Sequence, residues 1–145
     1  MNFEIKPNEK IGPIALGVTR EEVRAILGDD AFSGTSGESD YYFSNAIQIE
    51  FENNIADFIG VSFSSDYTVF YQDVNVFDLE SEELFILIAS HESNEHKYNA
   101  SEYVFPDQII TLWDADSQYD RIGGESRPIW GQVGIGSKSY LKAVI

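Results

Sequence analysis

The sequence predicts an α+β domain, a twisted antiparallel sheet with two main helices packed on it, and three observations predict it. Two segments, 19–27 and 81–89, join capping residues and first-turn acids to an apolar body, as helices do. Most of the remainder alternates apolar and polar residues in short runs closed by Asn, Gly or Pro, as strands do. The 145 residues, 43% hydrophobic and 14% aromatic, suffice for one core, since a chain of this length buries roughly 70% of its unfolded surface. A single domain over 1–145 is expected.

Phe3–Ile5 reads as a first strand closed by Pro7-Asn8. Ile11-Gly12-Pro13 turns the chain into an extended Ile14–Leu16. The first helix runs over Thr19–Leu27. Thr19 caps it, Glu22 reaches back to the Thr19 N–H to complete a capping box, and Val23, Ile26 and Leu27 share an apolar face. Gly28 lets the chain leave the helix in the left-handed conformation. Asp29–Asp40 is rich in Gly, Ser and Asp and reads as a loop.

Ile47, Ile49 and Phe51 alternate with Gln48, Glu50 and Glu52 before Asn53-Asn54, which marks a hairpin. A two-residue loop would set Glu50 opposite Asp57, two like charges. A three-residue loop, Asn53–Ile55, pairs Ile49 with Ile59 and Ile47 with Val61, and is preferred. It gathers Ile47, Ile49, Phe51, Ile59, Val61 and Phe63 on one buried face. Gln48, Glu50, Glu52, Phe58 and Ser62 then share the other, an acidic surface with one aromatic.

Thr68–Tyr71 and Val74–Phe77 read as further strands or a bend between them. The second helix follows, capped by Asp78 or Ser81, with Glu82 and Glu83 in its first turn and Leu84–Ala89 as its body. That body is apolar almost all round, so deeper burial than the first helix is expected. His91–Asn99 reads as a polar loop. Tyr103–Phe105, Ile109–Trp113, Ile129–Ile135 and Tyr140–Val144 read as strands, with Pro106 and Pro128 at strand ends. The halves 1–72 and 73–145 echo each other. Residues 20–27 line up with 81–88, and Ile59-Gly60-Val61-Ser62 resembles Val133-Gly134-Ile135-Gly136. Two tandem helix-plus-strands units are one reading of this, and the α+β class does not depend on it.

Charge is the strongest global signal: nine Lys+Arg against 25 Asp+Glu give −16. Such a chain repels phosphate backbones and anionic lipid, and attracts basic proteins. No nucleic-acid or membrane partner is expected. No apolar run approaches the ~20 residues of a membrane span, and no apolar region follows a basic N-terminus. Cysteine is absent, which excludes disulfides, a thiolate nucleophile and Cys zinc sites. A cytoplasmic protein is expected.

Leu16-Gly17-Val18-Thr19-Arg20-Glu21-Glu22-Val23, running on to Leu27-Gly28, resembles the helix entry of the SmpA/OmlA outer-membrane assembly lipoproteins and of beta-lactamase inhibitory proteins. The inhibitors are two tandem units of helices on an antiparallel sheet, and bind a partner with an aromatic-rich sheet face. The lipoproteins need a lipidated cysteine, which this chain lacks. Over more of its length the sequence resembles small acidic bacterial immunity proteins of toxin–immunity systems, in Gly12-Pro13-Ile14 through Gly28, in Val76-Phe77-Asp78-Leu79 and in Gly134-Ile135-Gly136. That resemblance implies a stoichiometric inhibitor covering the active site of a secreted toxin, commonly a basic nuclease.

Sites of chemistry are thin. Asp114, Asp116, Ser117, Gln118 and Asp120, with Glu125 beyond, are loosely like a calcium loop, but Tyr119 stands where the sharp turn wants glycine. An acidic loop between strands is the better reading, and Trp113 and Tyr119 make it a contact surface. His91 and His96 lie five apart, which does not stack them on one helical face as a zinc pair. Ser64, Ser65 and Ser137 lack an identifiable catalytic partner. Gly131, Gly134 and Gly136, preceded by Gly123-Gly124, have neither the helix nor the lysine of a phosphate cradle, and close packing or a bent strand explains them better. Trp130 fits the core or the open sheet face. No catalytic residue, metal or cofactor is expected. The expected partner is a cognate toxin domain, a basic protein met by Glu50, Glu52, Phe58, Trp113, Asp114, Asp116, Tyr119 and Asp120. A small-ligand or calcium-binding module is the alternative.

Overall fold

A computed structural model describes residues 1–119 and 126–145, with backbone alone at 116–119 and 126. The fold is α+β and mostly strand. Its elements are β1 (Asn2–Lys6), β2 (Lys10–Ile11), β3 (Ile14–Ala15), α1 (Arg20–Leu27), β4 (Phe32–Ser36), β5 (Ser39–Tyr42), β6 (Ile47–Glu52) and β7 (Ile55–Val61). There follow β8 (Thr68–Tyr71), β9 (Val74–Asn75), α2 (Ser81–Ala89), β10 (Glu102–Phe105), β11 (Ile110–Tyr119), β12 (Ser126–Gly136) and α3 (Lys138–Val144). In place of the expected single antiparallel sheet with two main helices, three helices and two sheets form among the described residues: a five-stranded sheet, β3-β2-β1-β8-β9, mixed because β1 pairs parallel with β8, and a seven-stranded antiparallel sheet, β10-β11-β12-β7-β6-β5-β4. Among the described residues no helix is long and apolar enough to cross a membrane.

The first helix forms as its capping signals require. Glu22 N–H donates to Thr19 Oγ1 at 3.2 Å, and Thr19 N–H to Glu22 Oε1 at 3.3 Å. Gly28 leaves the helix at φ 91. The expected apolar face is narrower than three residues, because Val23 is buried while Ile26 is 46% exposed. In α2 the cap is Glu80, neither Asp78 nor Ser81, and its N–H donates to Glu83 Oε1 at 3.0 Å. Its deeper burial is as expected: Ser81, Leu84, Phe85 and Ile88 are all buried.

The hairpin of β6 and β7 holds the expected register, Ile47 with Val61 and Ile49 with Ile59, by a different route. The turn has two residues, Asn53 and Asn54, at φ 51 and 66, the left-handed pair that matches strand twist. The like-charge pairing this would impose is removed by a bulge: Phe51 faces Ala56, Glu50 faces Phe58, and Asp57 is the extra residue. Phe63, expected on the buried face, lies beyond β7 and is 42% exposed.

Three other segments depart from expectation. Asp29–Asp40 is a 3₁₀ turn followed by the β4–β5 hairpin. Asp40, at its end, is buried, accepts from Thr35 Oγ1 at 2.7 Å and pairs with Arg20 at 3.2 Å. Tyr140–Val144 lies in helix α3, because Ser137 caps it by accepting from the Tyr140 N–H at 3.1 Å. Pro128 sits inside β12, opposite Ser117, rather than at its end. The polar stretch 91–99 is anchored too. Glu92 accepts from the N–H groups of Asp107 and Gln108 at 3.0 and 2.8 Å and from Gln108 Nε2 at 2.9 Å.

One contiguous buried cluster joins both sheets, Val23 of α1 and the apolar face of α2. Its centre is the inner face of the seven-stranded sheet, where Ile47, Ile49, Ile59, Val61, Val133, Ile135, Ile110 and Leu112 are all buried. Trp130 belongs to this core, and its indole N–H donates to the Ser81 carbonyl at 2.8 Å. The pairings of Ala115 with Trp130 and Trp113 with Gln132 flank Asp114, whose φ of 56 interrupts the regular strand there.

Candidate functional site

The outer face of the seven-stranded sheet is built on glycines. Period-2 alternation sends the neighbours of Ile59, Val133 and Ile135 outward, and these are Phe58, Gly60, Gln132, Gly134 and Gly136. Gly60 pairs with Gly134 across the β7–β12 junction. A Cβ on Gly60 would lie 2.5 Å from the Gln132 carboxamide carbon, one on Gly134 2.7 Å from the Phe58 ring, and one on Gly136 2.4 Å from the Tyr140 ring. Each missing side chain lets a larger one lie flat on the sheet. Gln132 Nε2 then donates to Gln48 Oε1 at 3.1 Å. Phe58 stacks on Tyr140 with centroids 4.8 Å apart.

Helix α3 is pinned over this floor by the bulge. Ser137 N–H donates to the Asp57 carbonyl at 2.9 Å, and the Ser137 hydroxyl donates to the Asp57 carboxylate. Ser139 Oγ donates to Glu52 Oε2 at 2.9 Å. Between α3 and the β10–β11 edge lies a groove of about 390 Å³, with Phe58, Tyr140, Val144 and Trp113 as its apolar surfaces and Glu50 and Glu102 as its acids. Trp113 is 55% exposed. No described Lys or Arg lines the groove, and none forms an ion pair with Glu50 or Glu102 among the described residues.

The electrostatics follow from that lining. Partial burial pushes the Glu50 carboxyl above the usual glutamate range, and the nearby Asp57 charge adds to the effect. Burial also pushes the Tyr140 hydroxyl up to about 12, with the charges of Glu50, Asp57 and Glu102 acting in the same direction. The groove sets carboxylates beside aromatic faces with no cation among its described lining residues.

Of the expected contact residues, Glu50, Glu52, Phe58 and Trp113 come together on this face. Phe58 is floor rather than surface, at 3% exposure. Asp114 follows Trp113 at the rim, exposed, with its N–H donating to the Ser101 carbonyl at 2.8 Å. Asp116 and Tyr119 are in β11, opposite Ile129 and Ser126. The acidic loop expected over 114–120 is therefore a paired strand as far as Tyr119, which is not a calcium-loop backbone. Asp120, Gly123, Gly124 and Glu125 lie outside the described residues.

His96, His91 and Ser64 are engaged elsewhere. His96 bonds Tyr103 Oη through Nδ1 at 2.6 Å and the Ser93 carbonyl through Nε2 at 2.9 Å. His91 lies edge-on to Tyr71. Ser64 Oγ accepts from the Asp66 N–H at 3.1 Å. Among the described residues no group of His, Asp and Glu is placed to hold a metal ion.

Sequence reasoning missed Glu102, Gln132, Tyr140 and Val144. A signal for Gln132 and Tyr140 was present: glycine at alternate positions 134 and 136, facing Gly60, marks a face where large side chains lie across the backbone. Comparison with protein-family models, with curated proteins and with solved structures finds no match to this chain.

Proposed function

We propose that this chain is an immunity protein, a stoichiometric inhibitor that binds a basic bacterial toxin domain through the outer face of its seven-stranded sheet. The observation that carries the reading is the groove itself, in which Glu50 and Glu102, with no cation paired to them among the described residues, stand beside Trp113 and Tyr140 on a chain of net charge −16. Aromatic side chains with desolvated charge beside them are what interface hot spots are made of, and a negative field steers a positive partner to them. On this reading the protein is cytoplasmic, acts by occlusion rather than catalysis and needs no cofactor.

The tandem-unit reading belongs to the same proposal. Helix α1 is followed by β4–β7, helix α2 by β10–β12, and the resembling segments 59–61 and 133–135 are the strands that pair at the sheet centre. Such a sheet presents a face continuous across both units.

The test is co-expression with the C-terminal domain encoded by the adjacent upstream reading frame. The expected result is a one-to-one complex that abolishes the domain's toxicity and weakens as salt is raised. Glu50→Lys with Glu102→Lys should weaken it by about tenfold or more, since like charge across an interface is strongly unfavourable. A complex indifferent to salt and to both reversals would remove the electrostatic basis of the proposal.

A further inference from the structure

We infer that the groove between α3 and the β10–β11 edge is a receptor for one guanidinium group, the side chain of an arginine projecting from the partner. The inference rests on the inhibitor reading for its partner and on the groove's own chemistry for its ligand. A volume of about 390 Å³ bounded by Trp113, Tyr140, Glu50 and Glu102 offers an aromatic face for stacking and carboxylates for charge-assisted hydrogen bonds. A planar, weakly hydrated guanidinium uses both at once, whereas an ammonium uses chiefly the charge.

The protein shows the same recognition twice within itself. Arg20 sits over the Phe51 ring at 4.8 Å with Asp40 at 3.2 Å. Arg24 sits over the Phe32 ring at 3.6 Å with Asp29 at 2.8 Å. In both, a guanidinium lies on an aromatic face and is held by a carboxylate. The groove repeats the aromatic–carboxylate half of that arrangement with no described arginine to complete it. Glu50 is half-buried there, so its ionised form is poorly solvated by water and gains from an incoming cation.

The experiment titrates the purified full chain with N-acetylarginine amide at low ionic strength and follows the indole N–H resonances. Trp113 reports the groove, and Trp130, bonded to the Ser81 carbonyl, reports the integrity of the core. The expected result is a saturable shift at Trp113 with Trp130 unmoved. N-acetyllysine amide should bind about threefold or more weaker, and Glu50→Gln with Glu102→Gln should weaken arginine binding about tenfold. Absence of a saturable Trp113 shift, equal binding of the two amides, or binding unaffected by the double variant would each overturn the inference. A toxin complex that forms with full affinity on the double variant overturns the groove assignment and leaves the inhibitor reading standing. Arginine-amide binding with no toxin complex has the opposite consequence.

Discussion

Ser137 and Asp57 are joined twice, backbone N–H to carbonyl at 2.9 Å and hydroxyl to carboxylate, across the width of β7 and the start of α3. The same Ser137 oxygen accepts from the Tyr140 N–H. One side chain therefore caps the helix and ties it to the bulge. Ser137→Ala should lower stability by about 1 kcal/mol, the ordinary cost of a lost cap. Urea denaturation measures it, and the Tyr140 ring resonances should move toward free tyrosine values as α3 loosens.

Trp113 and Trp130 are close in β-sheet register and opposite in role. Trp130 is 2% exposed, so Trp130→Ala should cost about 3–5 kcal/mol as a large core truncation. Trp113→Ala, on the groove's rim, should change stability by less than about 0.5 kcal/mol. It should nevertheless cost about 2 kcal/mol, roughly thirtyfold, in affinity for the toxin domain. Equal stability losses for both variants would contradict the placement of Trp113.

Glu50 makes stability depend on pH. Its folded-state pKa is raised above the ordinary value of 4.5, by burial first and by Asp57 second. A carboxyl raised in this way destabilises the fold when ionised: the penalty is full above the folded-state pKa and gone below the unfolded one. Glu50→Gln should therefore have the higher urea midpoint at pH 7, and the advantage should vanish as pH falls below about 4. A variant less stable than wild type at pH 7 would show that Glu50 has a stabilising partner.

Gly134 has no room for a methyl group, since an added Cβ would meet the Phe58 ring at 2.7 Å and the Ile59 carbonyl at 2.9 Å. Gly134→Ala should cost about 1–3 kcal/mol as overpacking. It should also unstack Phe58 from Tyr140, visible as loss of ring-current shifts on both. Gly60 makes a useful contrast, because Gln132 over it is a flexible side chain that can move away.

What the sequence made legible was local. Thr19, Glu22 and Gly28 specify α1 within ten residues, and the alternation of Ile47, Ile49 and Phe51 points to the register with β7 that a two-residue turn and a bulge produce. Half the groove followed from that alternation, because Glu50 and Phe58 must share the face opposite Ile49 and Ile59. Tyr140 reads as strand in the sequence because Tyr, Leu and Val suit a strand. What makes it helical is Ser137, held by Asp57 from a distant part of the chain, and no periodicity in a short segment carries that. Asp29–Asp40 failed similarly. Its Gly and Ser residues announce turns, while the pairing of buried Asp40 with Arg20 is a tertiary fact.

The middle of the seven-stranded sheet is the contact between β7 and β12, Val61 against Val133 and Ile59 against Ile135. The paired Val61 and Val133 lie 72 positions apart in the sequence, so the centre forms only after a large loop has closed, and folding should be slow for a protein of this size. Until then Ile59, Gly60 and Val61 stand as an open edge, apolar and able to pair with another molecule. Chains cut before Ile129 keep that edge permanently. They should accumulate as aggregates rather than as weakened binders, which makes the last strand a checkpoint on whether the protein survives its own synthesis.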